Sequence, residues 1–304
     1  RSTTSVGTEG RVGGPPAHRT RWVRVAAAVL IVEFLTASAV IIGAGSRPAV
    51  QAVEAPTVSV PASVPLVVGD GRAVRLISLG GAGTDEVLTR VGADIAAAVE
   101  AVERFWGTDW EREIIVVATD SDARFVEHAR LDPRRPWTDI AAVAVADEVD
   151  VTRRTASGQR IVLAPGAVEM TDSALRIVLA HELFHLAARA DTALDAPRWM
   201  TEGVADFVAR PPTGVPAGTS AVLPSDAALE AVGPDRSAAY DRAWWFARFV
   251  ADSYGTEALR RLYVATCGPD HSDLTSAVGQ VLGIDTSGLH TRWARWLSQE
   301  QRSG

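Results

Sequence analysis

The stretch His181-Glu182-Leu183-Phe184-His185, set in the apolar run 174–190, decides how the chain is organised. On an α-helix, residues four apart lie one turn above the other, so both imidazoles can face a single ion. The Glu182 carboxylate beside them can take a proton from a water held by that ion, as a zinc hydrolase requires. The stretch therefore predicts a metal site on a buried helix. An ordinary buried helix with two hydrogen-bonded histidines is the alternative.

The residues on either side of this stretch predict the limits of the helix and a third ligand. Thr171 is a suitable N-cap, and the helix is expected to run for about five turns to an exit at residues 191–192. Glu202 follows within a second segment of helical periodicity. Zinc in a catalytic site commonly takes three protein ligands, and two histidines with one glutamate form a standard set. Asp206, one turn after Glu202, can reach a histidine ring nitrogen and fix its tautomer.

The composition limits the classes of protein to consider. Of the 304 residues, 47% are hydrophobic and 22% are charged, which suits one large domain or two small ones with a sizeable core. The formal net charge of −7 argues against nucleic acid as the main partner, because phosphate binding needs a basic face. Cys267 is the only cysteine, so the sequence contains no internal disulfide and no Cys-x-x-Cys metal site.

Three N-terminal segments precede the predicted catalytic domain. Residues 1–24 carry arginines among small and polar residues, which is typical of a disordered basic segment. Residues 25–45 are almost all apolar apart from Glu33 and are long enough to cross a bilayer, which predicts a single transmembrane anchor. A secretory signal with a cleavage site near 37–39 is the alternative. Residues 46–70 form a proline-rich linker, and both alternatives place the rest of the chain outside the cytoplasm.

The hydrophobic periodicity beyond the linker predicts an α+β fold in residues 71–304. A small mixed sheet with helices is expected in 71–190, ending in the active-site helix, and a helical subdomain in 191–304. The predicted strands are 74–79, 114–118, 140–146 and 160–164, and the other main helices are 85–106, 240–253, 257–265, 274–282 and 289–297. Thr84 is expected to cap the first helix. A strand bordering an active-site cleft can pair with an extended peptide.

A family resemblance becomes specific at this point. Residues 181–185, followed by Glu202 within the segment 197–205, resemble the gluzincin metallopeptidases of the peptidase MA-like group, distantly like thermolysin and aminopeptidase N. The resemblance implies a zincin-like fold, one zinc ion bound by His181, His185 and Glu202, and Glu182 as the general base. The spacing of Glu202 and Asp206 is similar to that of the thermolysin-like branch, in which the aspartate supports a zinc-binding histidine.

A second stretch, residues 239–255, resembles the Tyr-x-x-Gly segment of aminopeptidase N relatives, with Ala243 in place of the glycine. The resemblance implies that the Tyr240 hydroxyl stabilises the oxyanion of the tetrahedral intermediate. A packing role for Tyr240 at the start of an apolar helix is the alternative. Residues 166–170 echo the substrate-binding motif of the same enzymes only faintly, so Glu169 is expected at a helix entry rather than at a substrate amino group.

The sequence therefore predicts a zinc-dependent metallopeptidase, with Glu182 and Tyr240 as catalytic residues and a peptide or protein as substrate. It is expected at the cell membrane as a single-pass protein with an extracytoplasmic catalytic domain, or secreted if residues 25–45 are cleaved. A catalytically inactive zinc-binding or sensory ectodomain is one alternative. A structural ectodomain with a coincidental motif is another. Nothing in the sequence selects between endopeptidase and aminopeptidase action.

Overall fold

The computed structural model of the chain describes residues 65–135, Trp137 and residues 140–303. The predicted basic segment 1–24, the predicted membrane segment 25–45 and most of the predicted linker lie outside the described residues. Within the described part, no helix is both long enough and apolar enough to cross a bilayer. The architecture is a small mixed sheet combined with helices, as the α+β prediction expected.

Five strands form the main sheet in the order β1-β2-β3-β7-β4, and two form a separate hairpin. The strands are β1 Leu66–Val68, β2 Arg72–Ser78, β3 Glu113–Ala118, β4 Ala142–Val145, β5 Glu148–Asp150, β6 Thr155–Ser157 and β7 Arg160–Leu163. The pairings β2–β3 and β3–β7 are parallel, whereas β1 and β4 are antiparallel to their neighbours. The sheet begins earlier than the predicted boundary at residue 71, because β1 lies in the segment assigned to the linker.

The two central strands are buried on both faces, which explains their continuous apolar sequences. Val116 and Val117 of β3 are 0% and 3% exposed, and Ile161 and Val162 of β7 are each 0% exposed, so neighbours on opposite faces are buried. One face of the sheet packs against the main core, and the other packs against a smaller cluster that contains Phe125. Strand β4 is left at one edge of this sheet, and the β5–β6 hairpin connects it to β7.

Nine α-helices lie in the described residues. They are α1 Ala82–Trp106, α2 Asp122–His128, α3 Asp172–Ala188, α4 Arg198–Ala209, α5 Asp226–Leu229, α6 Pro234–Tyr254, α7 Thr256–Cys267, α8 Leu274–Leu282 and α9 Thr286–Ser303. Thr171 caps α3 as predicted, because its Oγ1 accepts a hydrogen bond from the Ala174 N–H at 3.2 Å. The prediction for Thr84 was wrong: α1 begins at Ala82, and the Thr84 hydroxyl bonds backbone carbonyls from within the first turn.

Helix α3 runs through the centre of the molecule. Every residue from Val178 to Arg189 is buried, which accounts for a sequence that is apolar on all sides. It contacts α1 and β4 on the side of the sheet and α4 on the side of the C-terminal helices, and α4 in turn packs on α6. The histidine motif is therefore held at the junction of the two predicted subdomains.

The crossing of α4 and α6 depends on a glycine. A Cβ atom at Gly203 would lie 2.5 Å from the backbone oxygen of Ala243 and 3.1 Å from its side chain. Such a separation is well inside van der Waals contact, so a larger residue at 203 would push the two helices apart. The glycine therefore sets the distance between α4 and α6, and with it the position of the neighbouring Glu202.

Candidate metal centre

The structure brings the three predicted ligands together. His181 and His185 project from successive turns of α3, and Glu202 faces them from α4, with all three side chains buried. Their ligand atoms lie within 4.8 Å of one another. The two Nε2 atoms are 3.0 Å apart, and the nearest oxygens of Glu202 lie 3.3 Å from Nε2 of His181 and 3.7 Å from that of His185.

This donor set fits a divalent cation. Glu202 is 0% exposed, and among the described residues neither of its oxygens accepts a hydrogen bond of normal geometry. Burial raises the pKa of Glu202, and the positive charges of His181 and Arg198 offset this effect only in part. Two imidazole nitrogens and a carboxylate oxygen that converge in this way match the ligands that zinc takes in catalytic sites. The cluster could therefore hold a metal ion, and zinc suits its chemistry.

Asp206 holds His181 in the tautomer that metal binding requires. Its Oδ1 lies 3.0 Å from Nδ1 of His181. Because an ionised carboxylate only accepts, Nδ1 carries the hydrogen and the Nε2 lone pair is directed at the site. Burial opposes ionisation of Asp206, but the hydrogen bond and charge of His181, together with Arg210, outweigh it and lower the pKa of the carboxyl group.

Arg210 connects Asp206 on α4 to helix α6. Its Nη1 lies 3.0 Å from Oδ2 of Asp206 and 2.9 Å from Oδ1 of Asp241 on α6. The guanidinium group also stacks on Trp244, 3.8 Å from the ring centroid. A chain of charged contacts thus runs from His181 through α4 to α6. Sequence analysis did not find Arg210 or Asp241, although Arg210 lies one turn after Asp206 at the end of α4.

Glu182 lies beside the ligand cluster and is also fully buried. Its Oε2 accepts a hydrogen bond from the backbone N–H of Ala144 at 2.7 Å. Burial raises the pKa of this carboxyl group to about 7, with the charge of Glu202 adding to the effect and that of His181 opposing it. A carboxyl group with a pKa near neutrality is suited to general base and acid steps.

The edge strand β4 is joined to the motif helix through Ala144. Its N–H bonds Glu182, and its carbonyl oxygen accepts a hydrogen bond of 2.6 Å from Nη2 of Arg189. Both backbone groups therefore face α3 rather than β7. Sequence analysis missed this contact. The available signal was Arg189 itself, a charged residue two turns after Glu182 in an otherwise apolar run.

The protonation of the two histidines differs in the metal-free site. Burial opposes a charge on His181, but the hydrogen bond to Asp206 and the close carboxylate of Glu202 outweigh it and raise its pKa to about 10. Burial lowers the pKa of His185 well below its ordinary value, and the positive charges of His181 and Arg189 add to this effect. Metal binding must therefore displace a proton from His181, whereas His185 is already neutral.

Tyr240 lies on α6 in the vicinity of Glu202. The phenol is 1% exposed, and its pKa is raised by burial and by the charge of Glu202, while the side chain of Arg198 hydrogen-bonds to it and opposes the shift. Helix α6 begins at Pro234, so Tyr240 lies in its second turn rather than at its start. Glu169 is exposed and ends a 3-10 helix just before α3, in agreement with the predicted helix entry.

The described histidines outside the motif take no part in the cluster. His271 pairs with Asp195 near the surface at 3.2 Å, and His290 is exposed on α9.

Comparison with known proteins does not assign the chain to a protein family. A scan against protein-family models finds no match, and a search of curated proteins finds none either.

Proposed function

We propose that the protein is a zinc-dependent metallopeptidase with a zincin-like, gluzincin-type catalytic domain. The observation that carries the proposal is the convergence of His181, His185 and Glu202 next to the buried carboxyl group of Glu182. Burying three converging ligand atoms and an adjacent carboxyl group costs free energy of desolvation for each group. A helix with only a structural role would gain nothing that offsets this cost. The same arrangement serves hydrolysis by activated water.

The residues divide the reaction between them. Zinc held by the cluster would supply Lewis-acid polarisation of the scissile carbonyl group and would lower the pKa of water. Glu182 removes a proton from the attacking water as the oxygen bonds to the carbonyl carbon, and returns it to the amine nitrogen as the C–N bond breaks. Tyr240 donates its phenolic hydrogen to the developing oxyanion. Asp206 keeps the His181 ring in position throughout.

Strand β4 is the proposed docking edge for the peptide. It is an edge strand of the main sheet, and Ala144 directs its N–H and carbonyl oxygen towards the catalytic helix. An extended peptide that pairs with β4 through the Ala144 N–H would pass Glu182, once Glu182 releases that N–H, while the Ala144 carbonyl oxygen stays bonded to Arg189. We place the reaction on the extracytoplasmic side of a membrane, on the basis of the predicted segment 25–45.

The test compares the purified full chain with its Glu182→Gln variant. We expect stoichiometric zinc in both proteins, hydrolysis of members of a peptide library by the wild type, and a loss of roughly 100- to 10,000-fold in the variant. Full activity after complete removal of zinc would refute the proposal. Clear zinc binding with no turnover by either protein would instead favour the inactive zinc-binding or sensory domain.

A further inference from the structure

A small cavity lies between the end of α3 and the start of α4. Its volume is about 110 Å³, and Val149 of the β5–β6 hairpin forms one wall. The polar side chains that line it are Arg189, Arg198, Thr192 and Thr201. Arg189 lies one turn beyond His185, and Arg198 lies one turn before Glu202. Each of the two arginines in the lining therefore lies one helical turn from a proposed metal ligand.

The charge of the cavity is positive. Two guanidinium groups line it, and no carboxylate belongs to the described lining. Arg189 is 8% exposed, and burial lowers its pKa only to about 10, so it remains a cation at neutral pH. Its Nη2 bonds the carbonyl oxygen of Ala144. The charge of Arg189 also interacts with Glu182. A buried cation on this wall favours an anion in the space beside it.

Arg198 supplies the second cation from a more accessible position. Its Nη1 pairs at 2.8 Å with Glu230, whose side chain is 69% exposed. Because the Glu230 side of this pair is open to solvent, the pair contributes little, so a ligand carboxylate can compete with it. Two arginines from different helices can hold one carboxylate in the planar geometry that guanidinium groups favour.

The position of the cavity indicates how many residues separate this anion from the scissile bond of a substrate. Arg189 holds the carbonyl of Ala144, so an extended peptide paired with β4 would pass next to the cavity. One helical turn separates Arg189 from His185, about 5.4 Å along the axis. An extended peptide advances roughly 3.3 to 3.6 Å per residue, so one or two residues cover this span.

We propose that Arg189 and Arg198 bind a carboxylate of the peptide substrate one or two residues from the scissile bond. This inference rests on the proposed peptidase function and adds a substrate class to it. The carboxylate has two possible sources, a C-terminus or an acidic side chain. Both sources share the same chemistry, and matched peptides separate them.

The first experiment measures kcat/KM of the zinc-loaded full chain on peptides of one sequence. Three versions carry a C-terminal acid, a C-terminal amide, or an amide with glutamate in place of a glutamine near the cleavage site. We expect the acid or the glutamate version to exceed the neutral amide at least tenfold, which also identifies the source. In Arg198→Gln this preference should fall to within about threefold, because a neutral amide side chain cannot form an ion pair with a carboxylate. The preference is a ratio of two kcat/KM values, so a change in kcat through Tyr240, which Arg198 contacts, affects all peptides alike and cancels.

Arg176→Gln is the matched control. Arg176 lies near the start of α3, far along the helix from Arg189, and pairs with Asp94 at the surface at 3.5 Å. It should keep the full preference of the wild type. Arg189→Lys is the second test variant, because it retains a buried cation but loses the fork geometry. It should reduce the preference while the protein stays folded, as checked by its melting temperature.

A binding measurement separates this inference from the proposed hydrolysis. The probes are N-acetyl-L-alanine and its amide, titrated calorimetrically into the zinc-loaded full chain and into Arg198→Gln. Tighter binding of the acid by at least tenfold, lost in Arg198→Gln, supports the carboxylate site even if no peptide is cleaved. Equal affinity for acid and amide overturns it. An acid preference that Arg198→Gln retains also overturns it, because the carboxylate then binds elsewhere, such as at the metal.

Discussion

Replacing Gly203 by alanine should separate α4 from α6 and weaken the metal centre. The added Cβ would lie 2.5 Å from the backbone oxygen and 2.7 Å from the backbone carbon of Ala243, atoms that cannot rotate away. Restoring ordinary contact needs a shift of roughly 1 Å, and overpacking of this kind costs about 1 to 3 kcal/mol. The gain in helix propensity is only about 1 kcal/mol. Because the clash is with backbone atoms, we place the overpacking cost at the upper end, about 3 kcal/mol. The expected net destabilisation is therefore about 2 kcal/mol.

Two measurements check this expectation. The melting temperature of the metal-free protein should fall by about 4 to 8 °C, because 1 kcal/mol corresponds to about 2 to 4 °C in a domain of this size. Zinc affinity, measured by competition with a chelator, should fall at least about tenfold, because Glu202 moves with α4 and metal–ligand distances tolerate only about 0.2 Å. A variant that melts with the wild type and binds zinc equally well would refute the reasoning.

Gly279→Ala provides the matched control. Gly279 also lies within a helix, α8, but the nearest atom to its added Cβ is the backbone oxygen of Ile284 at 4.0 Å. Without a clash, only the helix propensity changes. We expect the free energy of unfolding of the control to be unchanged or up to about 1 kcal/mol higher, so its melting temperature should not fall. Its zinc affinity should be unchanged. The difference between the two variants therefore measures the clash at the helix crossing, because both lose a helical glycine.

Three further predictions concern the polar residues of the site. Asp206→Asn should lower zinc affinity by about 10- to 100-fold, because it weakens the support of His181; unchanged competition with a chelator would contradict this role. Tyr240→Phe should lower kcat by about 100- to 1,000-fold with zinc retained if the phenol donates to the oxyanion, whereas an unchanged kcat would leave Tyr240 a packing residue. In the metal-free protein, the native pKa of Glu182 of about 7 exceeds the value of 4.5 in the unfolded chain, so stability should fall as pH rises from 4.5 to 7. The fall from this group is on the order of 3 kcal/mol, and denaturant titrations should show a flatter profile in Glu182→Gln.

The parts of the site that lie on one helix were predictable from the sequence. The spacing of His181 and His185 places both rings on one face by helix geometry alone, and the cap at Thr171 is a local interaction. Predicting Glu202 as a ligand required that a second helix pack against the first, which helix geometry alone does not show. The expected ligand set and the family resemblance identified this residue. Its position in the buried cluster with both histidines follows that prediction, and the identity of the metal stays a prediction.

Contacts that depend on register between distant segments were not predictable in the same way. The bond from Ala144 to Glu182 needs β4 to pair with β7 in one particular register, and an apolar segment such as 140–146 does not specify one. Strand β1 was missed because three residues next to prolines have no strand signal of their own, and pairing with β2 decides their conformation. The early start of α6 had a local signal in Gly233 and Pro234, since proline favours the first helical turn.

The two halves of the molecule contribute different parts of the proposed reaction. Helix α3 carries both histidines and Glu182, but it is α4 that supplies the third ligand and the support of His181. Helix α6 sets the position of α4 through the contact of Ala243 with Gly203 and through Arg210, which Asp241 shares with Asp206. Metal affinity should therefore respond first to changes in the C-terminal helices. Peptide binding should respond first to changes at β4 and the hairpin, because these elements border Glu182 and the arginine-lined cavity.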